Sequence, residues 1–206
     1  LKIINEKDIG YTVGPLINAP GRMEDDGAEL ALSLLLNKNK AQSKRLAERL
    51  CEINEQRKNA VTEAMYLANQ YVKTNKLEGI APLIVTVDAP EGIIGIVAGR
   101  LTEEYSVPTL VLTKGADGNF KGSGRSCGEV NLKELLDSVS TLLIHYGGHA
   151  GAVGVSLSET NLEDMKDKLY GKLSGYEVIS SDEKGYDLEI TDKDISEALK
   201  ELEAFA

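Results

Sequence analysis

The sequence predicts an α/β fold: a mixed β-sheet flanked by helices and preceded by one long helix. Three observations carry this. From residue 83, short β-branched runs alternate with helical patterns in the order strand, helix, strand, strand, helix, strand, helix. Across residues 40–75, Leu46, Leu50, Ile53, Val61, Ala64, Ala68 and Tyr71 fall near one stripe at helical spacing. The composition, 42% hydrophobic and 27% charged over 206 residues, is that of an ordinary globular chain.

Taken in order, residues 1–25 read as an irregular lead-in, because Gly10, Gly14, Pro15, Pro20 and Gly21 break any long element. Residues 27–37, rich in Ala and Leu, predict a short helix with Asp25 or Asp26 as its cap. The helix over 40–75 carries Glu48, Glu52, Glu55, Arg57 and Lys58 outside its stripe, which suits a strut between two domains better than a fully packed helix. Strands are expected at 83–87, 109–112, 119–125 and 153–157, and helices at 93–105, 131–143 and 161–173. Asn131 is the expected cap of the second of these helices. Residues 175–185 read as a linker, followed by a short strand at 187–190 and a last helix ending near Ala204.

Composition also bounds function. No apolar run is long enough to span a bilayer, and no basic-then-apolar leader opens the chain. The chain begins with Leu1 rather than Met, so we read it as a segment of something longer or a processed product. Cys51 and Cys127 are far apart and have no metal-ligand spacing, the pattern of a reduced, cytoplasmic protein. Two histidines, His145 and His149, exclude a His-rich metal centre built from this chain alone. A net charge of −10 excludes a generally basic surface for nucleic acid. A polyanion would need a local patch, and Lys114, Lys121 and Arg125, against Asp117 alone, offer one.

Four segments carry chemistry. Asn18-Ala19-Pro20-Gly21-Arg22 sets an amide and an arginine around a bend. The planar guanidinium suits a phosphate, but Glu24, Asp25 or Asp26 would serve equally as its partner. Asp88 to Arg100 follows a strand and opens a helix, where anions are favoured, although Asp88 and Glu91 oppose a phosphate there and serve as caps or metal ligands. In Lys121-Gly122-Ser123-Gly124-Arg125-Ser126, a strand would turn Lys121, Ser123 and Arg125 to one side as a cationic stripe. The alternative is an exposed edge strand. Gly147-Gly148-His149-Ala150-Gly151-Ala152-Val153-Gly154 reads as a phosphate-binding loop with one imidazole, a donor or an acid–base group; His145 reads as a helix-end residue.

In this order the four segments resemble the RecJ family of single-strand-specific DNA exonucleases, within the DHH phosphoesterase superfamily. The family pattern Asn-Ala-x-Gly-Arg matches Asn18 to Arg22, Gly-x-Ile-Gly-Ile-Val-Ala-x-Arg-Leu matches Gly92 to Leu101, and Gly-Ser-x-Arg-Ser matches Gly122 to Ser126. Gly147 to Gly154 is similar to the family's Gly-Gly-His-x-x-Ala-x-Gly signature. The family's usual Trp-His-x-Gly is replaced by Ala89-Pro90-Glu91-Gly92, and the chain has no Trp.

The resemblance implies that residues 1–38 end a DHH catalytic domain and that 39–77 form a connecting helix. Residues 78–175 would be a DHH-associated substrate-binding domain, and 176–206 the run-in to an OB-type module. It implies 5′-to-3′ cleavage of single-stranded DNA with Mn2+ or Mg2+ bound by a missing N-terminal DHH domain, not by this chain. Arg22, Lys121, Ser123, Arg125, Ser126 and Asn18, with the backbone of Gly147 and Gly148, would hold phosphates. His149 would touch the scissile one as the catalytic residue. Two alternatives, the first within the superfamily and the second from another class, fit less well. A nano-RNA or cyclic-dinucleotide phosphodiesterase lacks the Asn-Ala-x-Gly-Arg segment, and the tRNA-binding module of alanyl-tRNA synthetase would not carry residues 14–22. An interaction fragment with no nucleic-acid role is the remaining class.

Overall fold

A computed structural model describes residues 5–176, together with Ile195 and Lys200. The expected strand at 187–190, and most of the linker and closing helix around it, lie outside the described residues.

The N-terminal segment departs from the expected irregular lead-in and is helical. A short α1 (Glu6–Asp8) opens on Asn5, whose side chain accepts from the Asp8 N–H at 2.9 Å. A π-helical turn over Ile9–Val13 absorbs Gly10 and runs into α2 (Gly14–Met23). Pro15 lies in the first turn of α2 and has no N–H to give to the turn before it, which is π-helical. Pro20 is buried in the last turns of α2, and its carbonyl accepts from Glu24. Pro20 thus stands inside the helix, where its missing N–H leaves one i→i−4 hydrogen bond unmade.

Helix α3 (Gly27–Leu36) follows, and Asp26 at its cap position makes no side-chain capping bond. A Cβ on Gly27 would stand 2.0 Å from the Pro20 carbonyl oxygen, so the α2–α3 contact admits glycine only. Helix α4 (Lys40–Thr74) begins at Asn39, whose side chain accepts from Ala41 and Gln42 at 3.0 and 3.1 Å. Its 35 residues span about 52 Å. Its first half packs on α2 and α3. Its second half puts Val61, Ala64, Ala68 and Val72 into the core of the sheet region.

That region has five strands: β1 (Leu83–Thr86), β2 (Thr109–Lys114), β3 (Phe120–Arg125), β4 (His145–His149) and β5 (Ala152–Leu157), in the order β1-β2-β3-β5-β4. β1 and β2 are parallel, joined by α5 (Glu91–Tyr105), and the other pairs are antiparallel. Side chains alternate between two cores. Leu83, Val85 and Val111 face α4 and α5. Ile84, Leu110, Leu112, Phe120, Val153, Val155 and Leu157 face the opposite side, which α6 (Leu132–Asp137) and α7 (Leu162–Lys172) cover. Asn131 caps α6 as expected, accepting from Lys133 at 3.1 Å, but the helix is shorter than the expected 131–143.

Two features position the site. Helix α5 packs chiefly on β2 and β3, and among the described residues no helix packs over the same face of β5 and β4. The stretch expected as a loop around His149 is instead a β-hairpin, with His145–His149 paired to Ala152–Leu157. His145 therefore belongs to a strand and not to a helix end. Among the described residues no helix is long and apolar enough to cross a membrane.

Helix α2 meets α5 in a tight backbone contact. A Cβ on Gly92 would fall 2.1 Å from the Arg22 carbonyl oxygen. Gly92→Ala is expected to lower stability by roughly 2 kcal/mol or more, because backbone meets backbone there and cannot yield cheaply. Gly10→Ala, with nothing within 4 Å of the added carbon, serves as the control. Thermal denaturation of the two variants reads the difference, and equal midpoints would contradict it.

Candidate functional site

Register alone assembles the site. β3, β5 and β4 lie side by side, and their residues pair in rows. Arg125 lies opposite Ala152, which lies opposite His149. Ser123, Gly154 and Gly147 form the next row, and Lys121, Ser156 and His145 the third. Rows on one face are about 6.8 Å apart, and β4 stands about 10 Å from β3. The bare face of the sheet is thus a floor of small residues, flanked by polar side chains on β3 and β4.

The opposite wall comes from α5 and Arg22. Together they enclose an open cavity of about 580 Å³ lined by Arg22, Glu91, Gly95, Lys121, Ser123, Arg125, His145 and Gly147, among others. Glu91 is the one carboxylate in that lining. The expected cationic stripe on β3 is present as geometry: Gly122 and Gly124 turn into the core, while Lys121, Ser123 and Arg125 share the cavity face. A Cβ at Gly122 would lie 2.5 Å from Leu112 Cδ2, so the glycines admit core side chains on the hidden face.

Arg125 does not reach out. Its Nη1 donates to Ser123 Oγ at 3.1 Å and to the Gly124 carbonyl at 2.7 Å, folding the side chain back along its own strand. Room for it comes from α5: a Cβ on Gly95 would meet Arg125 Nη2 and Ser123 Oγ, each at 3.0 Å. Arg22 donates from Nη1 to the Gly92 carbonyl at 3.0 Å. Its nearest acidic candidate is taken, because Glu24 pairs with Arg49 at 2.8 Å. Among the described residues neither Arg22 nor Arg125 forms an ion pair with a carboxylate. Behind Arg22, burial and the charges of Arg22 and Arg100 push the Arg57 guanidinium below its ordinary value.

The basic stretch read from 114 to 125 is less basic in place. Lys114 is paired with Glu159 at 2.8 Å. Lys121 stands 3.9 Å from Asp117, a loose and partly exposed pair that contributes little. Hydrogen bonds from the Asn119 side chain and backbone hold the Asp117 carboxyl below the usual carboxylate range.

The other expected site residues divide. His149 is exposed at the hairpin tip, on the same face as Arg125, one row-end beyond the cavity lining. Its Nδ1 accepts from the Gly151 N–H at 3.1 Å, which puts the proton of the neutral ring on Nε2 and leaves that N–H outward. Gly147 lines the cavity; Gly148 alternates to the other face. Asn18 lies on the far side of Arg22, lining cavities with Ile17 and with Arg57. Ser126 is outside the groove lining: its hydroxyl donates to the Val130 carbonyl and its N–H to Gly151. His145 and Ser156 were not picked out by the sequence, although the i, i+2 spacing of His145, Gly147 and His149 signals a shared strand face. Among the described residues no three His, Cys, Asp or Glu side chains gather as a metal site.

Residues 79–175 match the model of the DHHA1 domain. The chain is 30% identical over 174 residues to the single-stranded-DNA-specific exonuclease RecJ of Salmonella typhimurium, covering 81% of this chain and 30% of that protein. To RecJ of Bacillus subtilis it is 32% identical over 168 residues, covering 80% of this chain and 21% of that one. The crystal structure of RecJ in complex with Mg2+ from Thermus thermophilus superposes with a TM-score of 0.77 at 25% identity, over 95% of this chain and 30% of that chain. The chain thus spans less than a third of the length of these relatives.

The hairpin that carries His149 depends on Gly148, whose φ is +134° and where a Cβ would lie 2.2 Å from the Ala152 carbonyl oxygen. Gly148→Ala is expected to cost roughly 2 kcal/mol and to deprotect the amides of 145–157. Gly147→Ala, with open space at the added carbon, leaves both unchanged. Amide hydrogen exchange decides this, and full protection in Gly148→Ala would contradict it.

Proposed function

Because this chain carries a DHHA1 domain and is homologous to RecJ over most of its length, we propose that it is the substrate-gripping part of a RecJ-like 5′-to-3′ single-stranded DNA exonuclease. The observation that carries the reading is the pair of arginines, Arg22 and Arg125, that face one groove without a carboxylate partner among the described residues in a chain of net charge −10. An unpaired guanidinium next to a floor of Gly154, Gly147 and Ala152 favours an anion that lies close against backbone.

On this reading the sugar–phosphate backbone runs along the face of β3. Arg125 and Ser123 hold one phosphate, Lys121 holds another, and Arg22 closes the opposite side. His149 donates its outward Nε2–H to the phosphate under attack, where negative charge develops. The described residues offer no seat for a divalent pair, so the reading assigns Mn2+ or Mg2+ to Asp and His ligands of a DHH domain outside this chain. Such ions would activate water and stabilise the leaving oxygen when bound. The chain's own part is to bind and orient. Residues 1–38 would then be the end of that DHH domain, and the protein would work in the cytoplasm.

The chain is expected to bind labelled single-stranded oligonucleotide weakly and with marked salt sensitivity, since few phosphates are neutralised. Arg125→Ala should weaken binding about tenfold and lower the salt slope by about one. Equal binding by wild type and Arg125→Ala would overturn the groove assignment. With added Mn2+ the purified chain is expected to leave single-stranded DNA intact. Robust metal-dependent degradation would place the catalytic ligands here after all.

A further inference from the structure

The proposed grip gives Lys121, at the far end of the groove, a phosphate but leaves the rest of its row unexplained. There Lys121, Ser156 and His145 face one another across three adjacent strands, and all three line the cavity. Ser156 is 6% exposed, and its Oγ has no hydrogen-bond partner among the described residues. A buried hydroxyl without a partner carries a desolvation cost, which nothing among the described residues offsets. Its neighbours Val155 and Leu157 turn into the opposite core, so the hydroxyl does no packing there that a methyl group could not. In the strand row it stands between Lys121 and the exposed His145.

We propose that Ser156 and His145 join Lys121 in one phosphate subsite, which takes a phosphodiester of the same strand at the end of the groove away from Arg125. This rests on the groove reading above. The row lies about 13 Å from the Arg125 row, with Ser123, Gly154 and Gly147 between them. The intervening floor carries only glycine on β5 and β4, so a backbone can pass without obstruction. Lys121 is free to exchange its loose 3.9 Å partner, Asp117, for a phosphate. Glu91 on the α5 wall repels an anion, which keeps the strand on the β5 and β4 side.

The test compares 5′-phosphorylated dithymidylate, which fills only the Arg125 end, with the hexathymidylate, which spans both ends. Titration of the full chain is expected to show that Ser156→Ala and His145→Ala each weaken hexamer binding about tenfold and leave the dimer within about twofold. The thermal midpoint of Ser156→Ala should be unchanged or raised, since an unpartnered hydroxyl is removed. Unaltered hexamer binding in both variants, or equal losses for both probes, would overturn the subsite. If Arg125→Ala weakens both probes while the other two variants bind as wild type, the groove stands and the subsite falls. If Arg125→Ala has no effect, or wild type binds neither probe, the groove reading fails and takes the subsite with it. Inorganic phosphate that displaces the hexamer as effectively as a mononucleotide would mark an isolated anion site, against a continuous strand.

Discussion

The width of α5's footprint on the sheet governs everything at the site. The helix covers β2 and β3, and its Ile93, Val97 and Leu101 complete one core with β1 and α4. Had the sheet ended at β3, no groove would exist. Two more antiparallel strands extend it past the helix, and a hairpin rich in glycine keeps their exposed face low. The hidden face of β5 is apolar, with Val153, Val155 and Leu157 packed under α6 and α7. One core therefore holds the floor in place while the other supplies the wall.

Charge acts locally in this molecule. Several lysines near the sheet pair with acids at the surface, as Lys114 does with Glu159 and Lys133 with Asp137. Such exposed pairs add little stability. Their effect is to leave Arg22 and Arg125 as the cations of the groove that are not matched to a carboxylate among the described residues. The Coulombic pressure that Arg22 and Arg100 place on Arg57 belongs to the same region, where three helices bring guanidinium groups near one another.

The strands at 83–86, 109–114 and 152–157 were legible because β-branched runs bounded by Gly and Pro point to strand and little else, whereas that at 120–125, with no β-branched residue, was legible from the turn residues Gly115 to Gly118 before it. The long helix was legible from its stripe, and Asn131 from its place before an apolar run. The N-terminal helices were hidden, because Pro15 and Pro20 read as breakers unless their positions within the turn are known. β4 was hidden for a different reason: His-Tyr-Gly-Gly-His has no strand propensity, and only pairing with β5 makes it one. The alternation of Lys121, Ser123 and Arg125 could be drawn from spacing alone. That Ser156 and His145 stand in line with Lys121 depends on the order of strands in the sheet, which no local pattern contains.

Arg125 lies back on its own strand, held by Ser123 and Gly124 beneath the clearance at Gly95. A side chain so restrained has surrendered its rotameric freedom during folding, before any ligand arrives. Capture of an anion there incurs little further ordering. The same restraint limits its radius of action: it cannot cast outward after a passing polymer, and it meets only what descends to the surface of the sheet.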